Sequence, residues 1–179
     1  GYKSFNLEEI DNIDCNKYLL INRVFNNEDC DKFKNIIHKL YDFDGIIFED
    51  IGVYNMLKDT GIKLIWNQSH FATNYQSINC YLDMVYSVVI SNELTCLEVK
   101  DIIDKSIKPV VLNIFGKNPV MYSRRYLLTN YNKYFELGDN KEVILEESIT
   151  NNKFYAKESD KGTIVFNNKY FNIINYLNE

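Results

Sequence analysis

Two adjacent carboxylates, Glu49 and Asp50, a third at Glu93 and the histidine His70 are the side chains of this sequence best suited to proton transfer. Carboxylates crowded into one place raise one another's pKa, so one can hold a proton while a neighbour accepts one. The same oxygens suit a hard divalent cation such as magnesium or calcium. His70 follows directly on a strand end, where acid–base work is done, whereas His38 lies off the apolar stripe of its helix and reads as solvated. Arg124 and Arg125 offer a second chemistry, because two guanidinium forks match a carboxylate or a phosphate. Structural uses compete with each of these. Asp50 precedes a helix start and can cap it, the carboxylates can pair with the arginines, and arginines on a loop can simply be solvated. No nucleophile–base pair for proteolysis is visible, since a triad is defined by geometry rather than spacing.

These residues need elements to position them. Lys17 to Arg23, Asp44 to Asp50, Lys63 to Gln68, Tyr86 to Glu93 and Pro109 to Phe115 are short apolar runs of strand length. Between them lie amphipathic stretches that predict helices. One is capped by Asn27 and buries Phe33, Ile36, Ile37 and Leu40; another covers Gly52 to Leu57 and stops at Gly61. A third runs from Asn74 to about Leu82, and a fourth opens on the capping box of Thr95 and Glu98. A further short helix is expected within Tyr2 to Ile13, capped by Ser4. Strands alternating with helices imply βαβ crossovers and a parallel sheet. Each strand turns polar at its carboxyl end, in Asn22-Arg23, Glu49-Asp50, Asn67-Gln68 and Ser91-Asn92-Glu93. In parallel α/β architecture those ends share one face, where ligands bind, although strand ends also meet water for no other reason than being ends.

Beyond Pro109 the last strand empties into Gly116 and a loop stiffened by Pro119, which carries Arg124 and Arg125 ahead of Leu127 and Leu128. After Asn130 the character changes. Residues 142–146, 153–156 and 163–166 read as short strands, with Ser159 to Gly162 as the turn of a hairpin, and Tyr170 to Leu177 as a last strand or helix. The expected organisation is βα units over residues 1–135 and a small β element over 136–179.

With 179 residues and 46% hydrophobic content, the chain has material for a packed core. A net charge of −5 speaks against a broad basic face for nucleic acid. Cys15, Cys30, Cys80 and Cys96 are dispersed, without metal-ligand or disulfide spacing. No apolar run approaches a membrane span and no secretory signal opens the sequence, so the expected location is cytoplasmic.

Several segments resemble the collagenase-like peptidases, peptidase family U thirty-two. Asp44-Gly-Ile-Ile-Phe-Glu-Asp-Ile-Gly-Val53 is similar to that family's strand followed by Asp-x-Gly-Val, and Thr73-Asn74 fits its Thr-Asn. Val88-Val-Ile-Ser-Asn-Glu-Leu-Thr95 resembles its Val-Val-Leu-x-Arg-Glu-Leu-Ser, with Asn92 in place of arginine. Tyr122-Ser-Arg-Arg-Tyr-Leu-Leu-Thr-Asn-Tyr131, behind Gly116, resembles its Tyr-Ser-Gly-Arg-Cys-Leu-Leu-Ser-Asn-Tyr. The resemblance implies an α/β fold, a partial or open TIM-barrel-like parallel sheet with a small C-terminal β-hairpin element. It leaves the family's first two strands and its last without counterpart, so the chain is a fragment or a barrel left open. Open edges invite pairing, so self-association is expected.

In function the resemblance implies a peptidase of unassigned mechanism, with Glu49, Asp50, Glu93 and His70 as catalytic candidates. Asn67, Gln68, Asn92, Tyr122, Arg124, Arg125 and Asn130 would bind a peptide or small anion. One alternative is a non-catalytic, degenerate member that binds without turnover. Another is a relative of the members that hydroxylate RNA uridine, cytidine or quinone precursors. Many such relatives hold an iron–sulfur cluster through cysteines at the positions of Pro119 and Tyr126, neither of which can ligate iron. The expectation is therefore no iron–sulfur cluster, with a divalent cation left open.

Overall fold

The computed structural model describes residues 9–10, 13–68 and 70–176 of the chain. These fall into two compact units, residues 1–112 and 113–179. The expected boundary at residues 135–136 thus moves to residues 112–113. The physical reason is strand pairing, because Pro119–Ser123, just ahead of Arg124, pairs with a strand of the late β element rather than continuing the βα series.

Unit 1 is built on a four-stranded parallel sheet of β1 (Tyr18–Ile21), β2 (Gly45–Phe48), β3 (Lys63–Trp66) and β4 (Ser87–Val88), in the order β1-β2-β3-β4. Its helices are α1 (Asn27–Lys34), α2 (Ile51–Leu57), α3 (Tyr75–Leu82) and α4 (Cys96–Lys105). Chain order equals sheet order, so each connection passes to the adjacent strand. Alternate residues of the strands face the helices, and Ile46, Phe48, Leu64, Val88 and Ile90 pack with Val53, Leu57, Ile78, Leu82, Val99 and Ile102 in one core. The expected fourth strand shrinks to Ser87–Val88, beyond which Val89 bridges Val111 in parallel. The Pro109 to Phe115 run is divided in the same way, with Val111 on the sheet of unit 1 and Phe115 paired in unit 2.

Helix starts follow their capping residues. Asn74 accepts from the Ser77 N–H at 2.9 Å, and Thr95 and Glu98 form the expected box. The first helix is capped one residue earlier than expected, by Asn26, whose box partner is Asp29. It also ends sooner. Lys34 closes α1, and Ile37–Asp42 is a separate 3-10 turn, so Phe33 and Leu40 are buried from two elements rather than one stripe. The helix expected near the amino terminus lies largely outside the described residues. Among the described residues β1 has a neighbour on one side alone, and Leu19, Leu20, Ile21, Phe25, Phe33 and Ile36 line an apolar groove of about 260 Å³ there.

Unit 2 is antiparallel, with β6 (Pro119–Ser123), β9 (Gly162–Asn167), β8 (Lys153–Ser159) and β7 (Glu142–Glu146) in that order, and α5 (Leu127–Tyr134) packing Leu128 onto Ala156 and Val165. The stretch from Pro119, expected as loop, is therefore an edge strand, a place proline tolerates because its missing N–H faces outward. A two-stranded ladder of β5 (Phe115–Gly116) with β10 (Phe171–Asn172) completes it. Tyr170 to Leu177 holds this short strand and a 3-10 turn over Ile174–Tyr176.

The start of α5 has no cap of its own, because the Tyr126 side chain makes no capping hydrogen bond and its hydroxyl points to the Asp160 carbonyl. Glu158, buried on β8, reaches across instead. Its carboxylate accepts from the Leu128 N–H at 2.9 Å, the Thr129 N–H at 3.3 Å, the Thr129 hydroxyl and the Lys141 ammonium at 3.2 Å. Burial alone pushes this carboxyl up, but the Thr129, Lys141 and Thr163 side chains and the Thr129 N–H outweigh it and hold the pKa at about 2. A folded pKa below the unfolded one stabilises the fold fully above the ordinary glutamate value, and that contribution is lost as pH falls from about 4.5 towards 2. Glu158→Ala should cost unit 2 about 2–4 kcal/mol, since it strands two helix N–H groups and the Thr129 hydroxyl, whereas the exposed Lys141 keeps Asp139 at 3.1 Å. Hydrogen exchange at Leu128 and Thr129 should accelerate in that variant while α4 stays protected.

Candidate functional site at the carboxyl ends of the parallel strands

The register of unit 1 aligns its strand ends. Ile21 pairs with Phe48, Phe48 with Trp66 and Trp66 with Val88, so one row crosses the sheet at the carboxyl end. Asn22, Glu49 and Asn67 come next along their strands, with Asn67 N–H donating to the Phe48 carbonyl at 2.8 Å. Neighbouring ends are then tied pairwise. The Phe25 N–H donates to Asp50 Oδ2 at 2.7 Å, linking the loop after β1 to the end of β2. Gln68 Nε2 donates to the Glu49 carbonyl at 3.4 Å, and the Ser91 N–H donates to the Ala72 carbonyl at 3.0 Å. Last, His70 Nδ1 lies 3.1 Å from Glu93 Oε1, joining the loops after β3 and β4.

The expected site residues Glu49, Asp50, Asn67, Gln68, His70, Asn92 and Glu93 thus occupy one rim, but in different conditions. Asp50 is committed to structure, since Oδ1 caps α2 through the Gly52 N–H at 2.6 Å while Oδ2 holds Phe25. Glu49 is half-buried, and desolvation raises its pKa above the ordinary carboxylate value. His70 and Glu93 are both more than half exposed, so a partner molecule can reach the pair. Arg23 leans towards Asp29 at 3.8 Å rather than into the rim. Two polar atoms here have no hydrogen-bond partner although buried, Asn92 Oδ1 and Trp66 Nε1. Natural folds retain few such atoms, and they concentrate where a ligand completes the bonding. Trp66, whose ring meets the Tyr81 ring edge-on, and the buried Ser91, whose hydroxyl accepts from the Glu93 N–H at 3.2 Å, were not legible as site residues. Trp66 sits inside an apolar run and reads as core, while Ser91 belongs to a polar strand end but carries no ionisable or amide group to single it out.

Among the described residues no group of three or more His, Cys, Asp and Glu side chains gathers around a common point. Glu49, Asp50 and Glu93 therefore do not form the cation site that their chemistry allowed. An iron–sulfur cluster does not fit the residues present. Pro119 begins β6, the Tyr126 hydroxyl donates to the Asp160 carbonyl at 3.2 Å, and the four cysteines are free and all lie in unit 1. The remaining candidates, Tyr122, Arg124, Arg125 and Asn130, belong to unit 2, where all four are exposed. No helix among the described residues is long and apolar enough to cross a membrane.

The sequence matches the model of peptidase family U32 over residues 6–179. No curated protein matches it. Among solved structures, the chain is similar to the proposed sporulation-specific glycosylase ydhD of Bacillus subtilis, at 11% identity and TM-score 0.35, over 88% of this chain and 73% of the other. It is likewise similar to the C-terminal domain of a proposed chitinase from Desulfitobacterium hafniense, at 13% identity and TM-score 0.34, over 87% and 66%.

The double use of Asp50 separates it from its neighbours experimentally. Asp50→Ala should destabilise unit 1 by about 1–2 kcal/mol through the lost cap, and Trp66, the one tryptophan, reports this in urea titration. Glu93→Gln, at an exposed position, should leave that transition within about 0.5 kcal/mol of the parent.

Proposed function

The chain belongs to peptidase family U32, and on that premise we propose that it is a hydrolase of peptide bonds whose reacting groups stand on the rim of unit 1. The observation that supports this most is the hydrogen bond between His70 Nδ1 and Glu93 Oε1 at 3.1 Å. A carboxylate on Nδ1 fixes the imidazole as the tautomer whose Nε2 carries a lone pair, and orients the ring. Nε2 then takes a proton from water as the water oxygen bonds to the scissile carbonyl carbon. The C–N bond breaks as the leaving nitrogen receives a proton. Glu49 suits that donation, because its half-buried carboxyl holds its proton to higher pH than an ordinary glutamate. Asn67, Gln68 and Asn92 supply amides along the rim that can align a peptide, and Asn92 Oδ1 has an acceptor to spare. Asp50 supports the rim by holding its backbone rather than by touching the substrate.

The sheet order β1-β2-β3-β4, parallel throughout, supports reading unit 1 as a segment of an open TIM-like barrel. In such barrels the carboxyl rim is where chemistry is placed, in agreement with the position of the dyad.

Turnover of a fluorogenic peptide library by the purified chain tests the proposal. His70→Ala should lower kcat/KM by about 100- to 10,000-fold, the range for losing a general base. Glu93→Gln should lower kcat with KM little changed. Turnover retained in both variants would assign the activity elsewhere and end this reading.

A further inference from the structure

The turn from Ser123 to Tyr126, between β6 and α5, is fixed from several sides. Gly162 has φ +116° and packs so closely beneath it that a Cβ there would lie 2.2 Å from the Ser123 carbonyl oxygen and 2.8 Å from Arg124 Cα. The Arg125 N–H donates to Ser123 Oγ at 3.2 Å, and the Leu127 N–H donates to Thr163 Oγ1 at 3.0 Å. The Thr163 hydroxyl in turn lies 2.9 Å from the Arg125 carbonyl and 3.0 Å from Glu158, with one proton for the two. Both flanking tyrosines are pinned to the β8–β9 turn, Tyr122 through the Lys161 carbonyl at 2.9 Å and Tyr126 through that of Asp160 at 3.2 Å. Their rings stay about half exposed, at 51% and 48%.

Against this fixed backbone the two guanidinium groups stand in solvent, and no salt bridge engages either among the described residues. Nearby acids are taken by lysines, Glu158 by Lys141 and Asp160 by Lys161. A rigid turn holding two unpaired forks loses little conformational freedom when an oxyanion docks. The chain's charge of −5 gives no general attraction for anions, so any affinity must come from the forks themselves. The tyrosine rings supply apolar surface beside them, which an amino-acid residue uses and inorganic phosphate does not.

Resting on the peptidase reading for the class of ligand, we propose that the Arg124–Arg125 turn binds the free α-carboxylate of a peptide. The test uses the full chain carrying His70→Ala, so that binding is read without turnover. An N-terminally labelled tetrapeptide of three alanines and a phenylalanine is titrated by fluorescence anisotropy, in its carboxylate and its carboxamide forms. The carboxylate form should bind about tenfold or more tightly, a preference set by charge-assisted bidentate bonding. Arg124→Lys and Arg125→Lys keep the charge and lose the fork, so each should cut that preference severalfold, with circular dichroism verifying the fold. Gly162→Ala should do the same by moving the turn while leaving both arginines in place.

Equal binding of the two forms, binding of neither, or lysine variants indistinguishable from the parent would overturn the assignment. Displacement of the carboxylate peptide by inorganic phosphate at equal concentration would overturn it too, in favour of an unselective oxyanion site. Because the turn and the dyad are in different units, the carboxylate preference and the turnover of the His70-containing chain are read separately. Failure of the turnover and failure of the carboxylate preference are thus told apart.

Discussion

Hydrogen bonds between strands that all run the same way put Ile21, Phe48, Trp66 and Val88 in one row, and this register governs what unit 1 can do. A one-residue slip would exchange the helix-packed face for the other and break the core of Ile46, Phe48 and Leu64. The core therefore holds the register, and the register holds the strand ends. Nothing at the rim has to be selected separately to bring Glu49, Gln68, His70 and Glu93 onto one edge.

What differs among these side chains is solvation and partnership. Asp50 has a backbone N–H on each oxygen, Glu93 a histidine, and Glu49 a half-buried environment that disfavours its charge. Glu158, in the other unit, is the most buried acid of the four, yet its pKa is lowered, because donors outweigh desolvation there. Burial alone thus does not mark a working carboxylate. The balance between lost water and gained donors assigns Glu158 to architecture, whereas at Glu49 the loss of water prevails and the carboxyl keeps its proton to higher pH.

Much of this order was legible in the sequence. Apolar runs of strand length and helical spacings located most strands and helices of unit 1, and Thr95 with Glu98 announced α4. Polar residues after each apolar run marked the rim. The capping role of Asp50 was visible as an alternative, because an acid just before a helix start has that use. Other features depended on contacts far apart in the chain. Ile36 and Ile37 continue the spacing of Phe33, but the backbone leaves the α-helix at Lys34 and the stripe is completed by a 3-10 turn. Pro119 suggests a loop until β9 arrives to pair with it. Glu158, set in a Lys-Glu-Ser-Asp-Lys stretch, has the local look of a solvated turn, and only the fold shows it under α5. The family likeness supplied what periodicity could not, a reason to treat the rim as a site for peptides.

The separation between α5 and its acceptor has a consequence for biosynthesis. Leu127–Tyr134 leaves the ribosome well before Glu158 does, with nothing in its own first turn to accept the leading N–H groups. So short a helix is marginal by itself in water. Its leading N–H groups find their acceptor on β8, and the Arg124–Arg125 turn its support from Gly162 and Thr163, so both depend on residues synthesised later.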